Sequence, residues 1–213
     1  MTNDSNAEGT VKSLIRKVRE RYRGQGVVGL AEAFLARLPF VRTVYCYHVC
    51  RLPLTGIRET EAPPEVSIEL VRDAGLVDVL TTLQSKPELF RGRLREGHLC
   101  LMASVEGRPV AYLWAQPDGT AHRHQVHGFS VPIAAGQIYI YDGFVRPDWR
   151  RRGLIRSLEE RMGAHAIRNL GKRELVGIIE SSNLVSLKAH ARLGFVRGRA
   201  RFFVRIGRLD FTL

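Results

Sequence analysis

The order of the predicted elements is that of an α/β protein in which helices flank a mixed sheet. From residue 65 on, apolar patterns indicate a strand, helices, three strands, a helix, a strand, a helix and one or two final strands. A buried strand at residues 138–145 runs into a loop with three arginines and a glycine, and a helix follows at once. The rest of the chain is organised around this strand, loop and helix.

Length and composition limit the architecture. With 213 residues, 45% of them apolar and 25% charged, the chain has room for one domain with an extension. We expect a basic helical extension and linker at residues 1–64 and the main domain at 65–213. The net charge of +12 favours acidic partners. Three cysteines form no disulfide framework and no signal segment is visible, so we expect a cytoplasmic protein, with peripheral membrane contact left open.

The extension contains the pattern of a basic amphipathic helix at residues 11–23. Apolar residues recur there at helical spacing, and the opposite face carries six basic side chains against Glu20. Such a helix lies on an anionic membrane surface or packs on its own domain, and the sequence allows both. A second helix at 27–38, a strand at 41–50 and a proline-rich linker at 52–64 complete the extension.

Each element of the main domain follows from a local pattern of apolar and turn residues. The predicted elements are a strand at 66–71, a helix at 74–84, a helical turn or two at 88–94, a hairpin of 98–105 and 110–116, the strand at 138–145, a helix at 154–170, a strand at 174–180, a helix at 184–192 and terminal strands at 195–209. Gly194 is expected to end the last helix as its C-terminal cap.

The loop after the strand at 138–145 has the properties of an anion site. Pro147 and Asp148 end the strand, because proline cannot donate to a sheet ladder. At a helix start, free backbone N–H groups point outward, the helix dipole favours negative charge, and nearby arginines add positive charge. This chemistry suits a phosphate or a pyrophosphate.

Two blocks of the sequence resemble the GNAT N-acetyltransferase family. The first matches V-x-P-x-x-R-x-x-G-L and is carried by Val145, Pro147, Arg150, Gly153 and Leu154. The second is similar to the family's N-x-x-A and L-G-F segment and is carried by Asn183, Ser186, Leu193, Gly194 and Phe195. The resemblance covers residues 66–204. It departs from the family pattern at Ile155, where a glycine or alanine is usual.

The resemblance implies a GNAT-like acyl-CoA N-acyltransferase fold that binds acetyl-CoA at this loop. Backbone N–H groups of the loop would cradle the pyrophosphate, and the pantetheine arm would enter between the strands at 138–145 and 174–180. The implied cofactor contacts are Phe144, Val145, Arg150, Arg151, Arg152, Gly153, Leu154, Ile155, Arg156 and Asn183. Ile155 would crowd the cofactor, and we expect Asn183 to act mainly as the cap of the helix at 184–192.

Acyl transfer to an amine needs a base for the amine and an acid for the leaving thiolate. Asp142 is the first candidate for the base because it interrupts an apolar strand, and Glu180 or an ordered water is the alternative. Asp142 would otherwise be a hydrogen-bonded residue at a bulge beside Gly143. Where the family often has a tyrosine as the acid, this chain has His190, which either donates a proton or simply packs.

No metal site is expected. Cys46, His48 and Cys50 share one face of a single strand, which cannot surround a tetrahedral ion. His122, His124 and His127 lie in T-A-H-R-H-Q-V-H-G, which we predict to be an exposed loop on the acceptor side.

The sequence therefore predicts an acyl-CoA-dependent N-acyltransferase that moves acetyl from acetyl-CoA to a primary amine directly, in a ternary complex. No cysteine falls in the two blocks, which argues against a covalent acyl-enzyme. One alternative is a catalytically silent GNAT-like module that binds CoA or a partner, suggested by Ile155 and His190. A nucleic-acid-binding protein is the other; the charge suggests it, but no known motif supports it. The acceptor and a homodimer are left open.

Overall fold

The structure is a computed structural model that describes residues 29–57, 61–118, 121–123 and 127–213. The basic helix expected at residues 11–23 lies outside the described residues, as does His124. In chain order the described elements are α1 (residues 29–35), β1 (Val41–Pro53), β2 (Ser67–Leu70), α2 (Ala74–Thr81), α3 (Pro87–Arg95), β3 (Leu99–Val105), β4 (Arg108–Gln116), β5 (Ala121–Arg123), β6 (Ser130–Pro132), β7 (Gln137–Val145), α4 (Leu154–Leu170), β8 (Glu174–Glu180), α5 (Leu184–Arg192), β9 (Val196–Ile206) and β10 (Leu209–Thr212).

The chain divides into two compact units. The first unit comprises residues 1–50, 125–129 and 178–213, and the second comprises 51–124 and 130–177. Strands β1 and β8 contribute residues to both. The boundary expected between residues 64 and 65 stays a prediction.

The second unit contains a mixed sheet with the strand order β8-β7-β4-β3-β2. Strand β7 pairs with β4 in antiparallel and with β8 in parallel orientation, which confirms the predicted mixed sheet flanked by helices. The register places Cys100 opposite Trp114 and Met102 opposite Tyr112, so these four side chains share one face. They are fully buried together with Phe90 and Leu80 of the neighbouring helices, and this cluster forms the core of the unit.

The helix ends follow from local chemistry. Asp73 caps α2 by accepting a hydrogen bond from the Leu76 N–H at 2.9 Å, and Pro87 opens α3, where its missing N–H has no helical partner to lose. Helix α4 has the predicted bounds and lies between Gly153 and Gly171, both in the left-handed conformation.

The first unit contains α1, α5, the paired strands β9 and β10, and parts of β1 and β8. Helix α5 has its predicted bounds. On one side of β1 and β9, five rings stack in an aromatic cluster made of Tyr45, Tyr47, His127, Phe129 and Phe203. The buried Ser181 hydroxyl donates to the Cys46 sulfur at 3.0 Å.

Several sequence predictions were wrong in detail. Helix α1 ends at residue 35 and not at residue 38, and α2 ends at Thr81 and not at residue 84. The linker begins later than residue 52, because β1 continues to Pro53. The histidine stretch predicted to be an exposed loop includes β5, which pairs with β6, and His122 on β5 is buried. Among the described residues, no helix has the length and apolar character needed to cross a membrane.

Candidate functional site

The end of β7 and the start of α4 form an open anion cradle in the second unit. After β7, a 3₁₀ turn at Pro147–Trp149 leads through Arg150–Gly153 to the helix. Gly153 has φ +79° and gives the helix no side-chain cap. The first hydrogen bond of the helix runs from the Ser157 N–H to the Gly153 carbonyl at 3.0 Å. The N–H groups of Leu154, Ile155 and Arg156 come before it and have no acceptor one turn earlier within the helix. The helix start can therefore accept an anion.

The arginines of the cradle are held in different ways. Arg150 donates from Nε to the Val145 carbonyl at 3.2 Å, and the Arg152 guanidinium lies 4.4 Å from the Trp149 ring centroid. Arg156 is paired with Glu160 at 2.7 Å and Arg151 has φ +64°. The hydrogen bond of Arg150 and the ring contact of Arg152 restrict these two side chains. They would therefore lose less conformational entropy on binding a phosphate.

Strand β7 has different neighbours along its two edges. Towards β4 it is paired from Tyr139 to Val145. Towards β8, the pairs among the described residues are Gln137–Glu174, Ile138–Leu175 and Tyr139–Val176. Beyond Tyr139 no further pair between β7 and β8 is present among the described residues. The resemblance implies that pantetheine pairs with the backbone of this edge near Phe144 and Val145, where the Val145 carbonyl accepts from Arg150 Nε.

Ile155 points at β7 from the first turn of α4. A Cβ built on Gly143 would come within 2.9 Å of Ile155 Cδ1 and 3.3 Å of Leu113 Cδ1. Ile155, which departs from the family pattern, therefore contacts β7 at a glycine, Gly143. Its side chain packs on Gly143, and crowding of the cofactor by Ile155 stays a prediction.

Asp142 lies at a bulge and forms a nearly buried ion pair. Leu113 on β4 faces both Asp142 and Gly143, and Asp142 has φ +47°, which is uncommon for an aspartate. Its Oδ2 lies 2.7 Å from the Arg93 guanidinium, whose side chain is 3% exposed, and its Oδ1 accepts from the Tyr112 hydroxyl at 3.3 Å. From the sequence, the alternative role of Asp142 was that of a hydrogen-bonded residue at a bulge. The structure contains both the bulge and the hydrogen bond.

The sequence prediction missed Arg93. Its guanidinium lies over the rings of Phe90, Trp114 and Tyr141, with centroid distances of 5.5, 5.0 and 4.9 Å. One signal was available: Arg93 follows Phe90 by three positions and therefore shares its apolar helix face. A charged side chain on such a face needs a buried counter-charge.

A group of histidines and tyrosines continues from Asp142 along β7. His98 is hydrogen-bonded through Nδ1 to the Tyr141 hydroxyl, and burial lowers the pKa of His98. His122 stacks on Tyr139 with ring centroids 4.4 Å apart, and its Nδ1 lies 2.7 Å from the side-chain oxygen Oε1 of Gln116. Burial raises the pKa of Tyr141 above its ordinary value, so its hydroxyl stays protonated at neutral pH.

The other predicted site residues belong to the first unit. Glu180 is exposed and accepts a hydrogen bond from the Ser182 hydroxyl. Asn183 accepts from the Ser186 N–H at 3.0 Å, which confirms the predicted helix cap. His190 Nδ1 lies 2.8 Å from the Ser186 carbonyl, and its ring meets Phe195 edge-on. His127 is half-buried against Tyr45, where burial lowers its pKa.

The described part of the chain contains no group of three or more histidine, cysteine, aspartate or glutamate side chains that could hold a metal ion. The three cysteines are all buried, and burial raises the pKa of the Cys46 and Cys100 thiols. A buried thiol with a raised pKa is a poor nucleophile.

Comparison with protein families gives one match. The family described as "Acetyltransferase (GNAT) family" matches residues 69–195, which is more than half of the chain. A comparison with curated proteins finds no match.

Solved structures with a similar fold include several acetyltransferase relatives. A tandem GNAT protein from the clavulanic acid biosynthesis pathway is 13% identical, with a TM-score of 0.57 over 83% of this chain and 58% of the other. A protein of the GNAT family from Novosphingobium aromaticivorans is 17% identical, with a TM-score of 0.51 over 77% of this chain and 66% of the other. A Staphylococcus epidermidis protein of unknown function is 12% identical, with a TM-score of 0.54 over 78% and 63%. The chain spans less than two thirds of each of these proteins, and at such identities the likeness concerns the fold.

The contact between Gly143 and Ile155 predicts a compensating pair of substitutions. Gly143→Ala should lower the free energy of unfolding by about 1 kcal/mol, because its methyl group meets Ile155 Cδ1. Ile155→Val removes that atom, so the double variant should regain most of the loss in urea unfolding. If the two losses simply add, the contact is not what excludes a side chain at residue 143.

The buried ion pair predicts a large loss of stability when one charge is removed. Asp142→Asn should lower the free energy of unfolding by about 3–5 kcal/mol, because it leaves the nearly buried Arg93 charge without compensation. Asp78→Asn is the matched control, since Asp78 pairs with Arg91 of the same helix at 2.6 Å but in an exposed position. Adding Arg93→Met to Asp142→Asn should restore much of the stability. Equal small losses for Asp142→Asn and Asp78→Asn would contradict the prediction.

Proposed function

Because the chain belongs to the GNAT acetyltransferase family, we propose that it transfers an acetyl group from acetyl-CoA to a primary amine. The observation that carries the proposal is the uncapped start of α4, placed directly after β7 and surrounded by the arginines of the cradle. A helix start of this kind favours the pyrophosphate of CoA through its N–H groups and its dipole.

The chain's own residues would hold acetyl-CoA in two places. At the cradle, the N–H groups from Arg151 to Arg156 take the pyrophosphate, and Arg150, Arg151 and Arg152 balance its charge. Gly153 lets the backbone approach the phosphate, since no other atom lies within 4 Å of a Cβ built there. Along β7, the edge near Phe144 and Val145 pairs with the pantetheine amides. Leu154, Ile155 and Asn183 complete the proposed contacts.

Direct transfer in a ternary complex suits the described chemistry better than an acyl-enzyme. All three cysteines are buried, so no thiol is placed to attack the thioester. The neutral amine nitrogen attacks the thioester carbonyl, the carbon–sulfur bond breaks, and the CoA sulfur takes a proton. His190 stays our proposed donor for that proton. Its Nδ1–H donates to the Ser186 carbonyl, so the proton for the sulfur would come from Nε2 of the imidazolium form, which regains a proton from water after the transfer.

The proton of the incoming ammonium needs a separate acceptor. The sequence puts forward Asp142 and then Glu180, and both assignments stay predictions that depend on position along a strand. Asp142 lies within the β4–β7 ladder, at the bulge between the paired residues Tyr141 and Phe144. Its carboxylate is paired with the Arg93 guanidinium, so a proton taken up by Asp142 would weaken that ion pair.

The acceptor is proposed at the level of its chemistry. The net charge of +12 favours an amine that carries acidic groups or is attached to an anionic membrane, while a protein amine fits the chemistry equally well. We propose a cytoplasmic protein whose residues 11–23 contact the membrane surface, and a homodimer is compatible with the proposal. A catalytically silent CoA-binding module is the second candidate, favoured by Ile155 at the cradle and His190 in place of the usual tyrosine.

The cradle predicts that a negative side chain at residue 153 prevents cofactor binding. Gly153→Glu should abolish acetyl-CoA binding in calorimetry, because a carboxylate would occupy the place of the phosphate. Gly171→Glu is the matched control: this residue ends the same helix, also has positive φ, and also has no atom within 4 Å of a built Cβ. The backbone strain is therefore similar, and only the variant at residue 153 should lose binding. Unchanged affinity in Gly153→Glu would place the cofactor elsewhere.

Residues 11–23 predict salt-dependent binding to anionic membranes. The protein should co-sediment with phosphatidylserine-containing vesicles at 0.1 M salt and be released at 1 M, since the Debye length falls from about 10 Å to about 3 Å. Vesicles of phosphatidylcholine alone are the control, and deleting residues 11–23 should release the protein while acetyl-CoA binding persists. Failure to bind anionic vesicles at low salt would mean that the segment packs on its own domain.

A further inference from the structure

A chain of three titratable side chains leads from β7 to the protein surface. The Tyr141 hydroxyl is hydrogen-bonded to Nδ1 of His98, and Nε2 of His98 lies 4.0 Å from the Glu96 carboxylate. The His98 side chain is 12% exposed and that of Glu96 is 70% exposed. The chain therefore begins beside Asp142 and ends in solvent.

His98 is in the correct state to accept a proton. Burial is the main reason that the pKa of His98 lies below its ordinary value; the Arg93 charge lowers it further, and Glu96 opposes both effects. His122 faces the same ring at a centroid distance of 6.4 Å, and Tyr141 contacts it edge-on. The imidazole is therefore neutral at neutral pH, and in its Nε2–H tautomer Nδ1 accepts the hydrogen bond of the protonated Tyr141 hydroxyl.

Asp142 is less suited to the same task. Its carboxylate balances the Arg93 guanidinium, which is 3% exposed and enclosed by three aromatic rings. A proton on Asp142 would leave that buried positive charge without compensation in every catalytic cycle. A neutral tyrosine–histidine pair that opens to solvent carries no such penalty.

We propose that Tyr141 takes the proton of the acceptor ammonium and passes its own proton to His98. This proposal rests on the proposed acyl transfer. The ammonium gives one proton to Tyr141 Oη while the Tyr141 hydroxyl proton moves to His98 Nδ1, so Tyr141 ends with one proton, the amine becomes neutral and His98 becomes imidazolium. Glu96 stabilises the imidazolium, which returns to neutral by losing a proton to water. Tyr141 is then the catalytic residue, Arg93 and Asp142 hold the adjoining bulge, and His98 acts through Tyr141.

The competing explanation is structural: the hydrogen bond ties the segment after α3 to β7. The pH dependence of kcat/KM separates the two, measured with acetyl-CoA and a panel of glucosamine, spermidine and a lysine peptide. In the parent, kcat/KM should fall as the pH drops through the lowered pKa of His98, because imidazolium cannot accept the proton. His98→Gln should lower kcat by roughly 100-fold and remove this acidic limb, with KM for acetyl-CoA near that of the parent.

Two further variants make the test specific. His165→Gln is the matched control, because His165 lies on α4 and burial also lowers its pKa, yet it bonds only Asn169 among the contacts described for it. It should keep the parent's profile. Tyr141→Phe removes one hydroxyl and keeps the ring, so it should reproduce the loss in His98→Gln and change the His98 titration followed by NMR.

The outcomes distinguish the relay from the proposed function. A parent that binds no acetyl-CoA and acetylates no amine in the panel overturns the proposed function. An active parent whose acidic limb persists in both His98→Gln and Tyr141→Phe overturns the relay alone. The relay is also overturned if Asp142→Asn, at a temperature where the variant is folded, removes the acidic limb while His98→Gln keeps it, since Asp142 is then the base.

Discussion

A guanidinium that is removed from water needs a negatively charged partner, and this requirement determines the backbone conformation of β7 at its bulge. Arg93 reaches across from α3 to Asp142, and the bulge opposite Leu113 brings the carboxylate to it. Asp142 has a positive φ there. This conformation is unfavourable for most residues and persists only where the surrounding structure holds it in place. The ion pair, the bulge and the three aromatic rings around Arg93 therefore depend on one another, and removal of one charge should disturb them all.

Strand β7 connects this constraint to the chemistry. One of its edges pairs with β4 from Tyr139 to Val145, whereas the described pairs with β8 stop after Tyr139, and we propose that the cofactor pairs with the edge beyond. The bulge directs Tyr141 and Asp142 to the α3 side, and the loop that follows the end of β7 at Val145 contains the cradle arginines. The proposed cofactor cradle and the proposed proton relay thus share one strand, and a change in its register would displace both.

The sequence predicted best what depends on local pattern. The bounds of α4, β8 and α5 follow from helical spacing, a buried apolar run, and the cap residues Asn183 and Gly194, all of which act within a few positions. The Arg93–Asp142 pair joins residues 49 positions apart in sequence, and the Tyr141–His98 bond joins residues 43 apart. Such pairs depend on how strands and helices pack, which periodicity does not encode. His122 illustrates the same limit, because its neighbours suggest a polar loop while its burial comes from Tyr139 on another strand.

The sequence and the three-dimensional structure lead to different proposals for the proton acceptor. From the sequence, an aspartate in an apolar strand is an unusual carboxylate, and unusual carboxylates are often catalytic. In the structure the same carboxylate has a permanent task, because a buried cation needs it to stay charged. A group that must keep its charge for stability is a poor choice for one that must lose it in each turnover. His98 has no such obligation: its neutral form is favoured by burial, and its imidazolium form finds Glu96 at the surface. In the proposed relay the two roles therefore belong to different groups: Asp142 keeps the charge that stabilises the site, and the Tyr141–His98 pair accepts the proton.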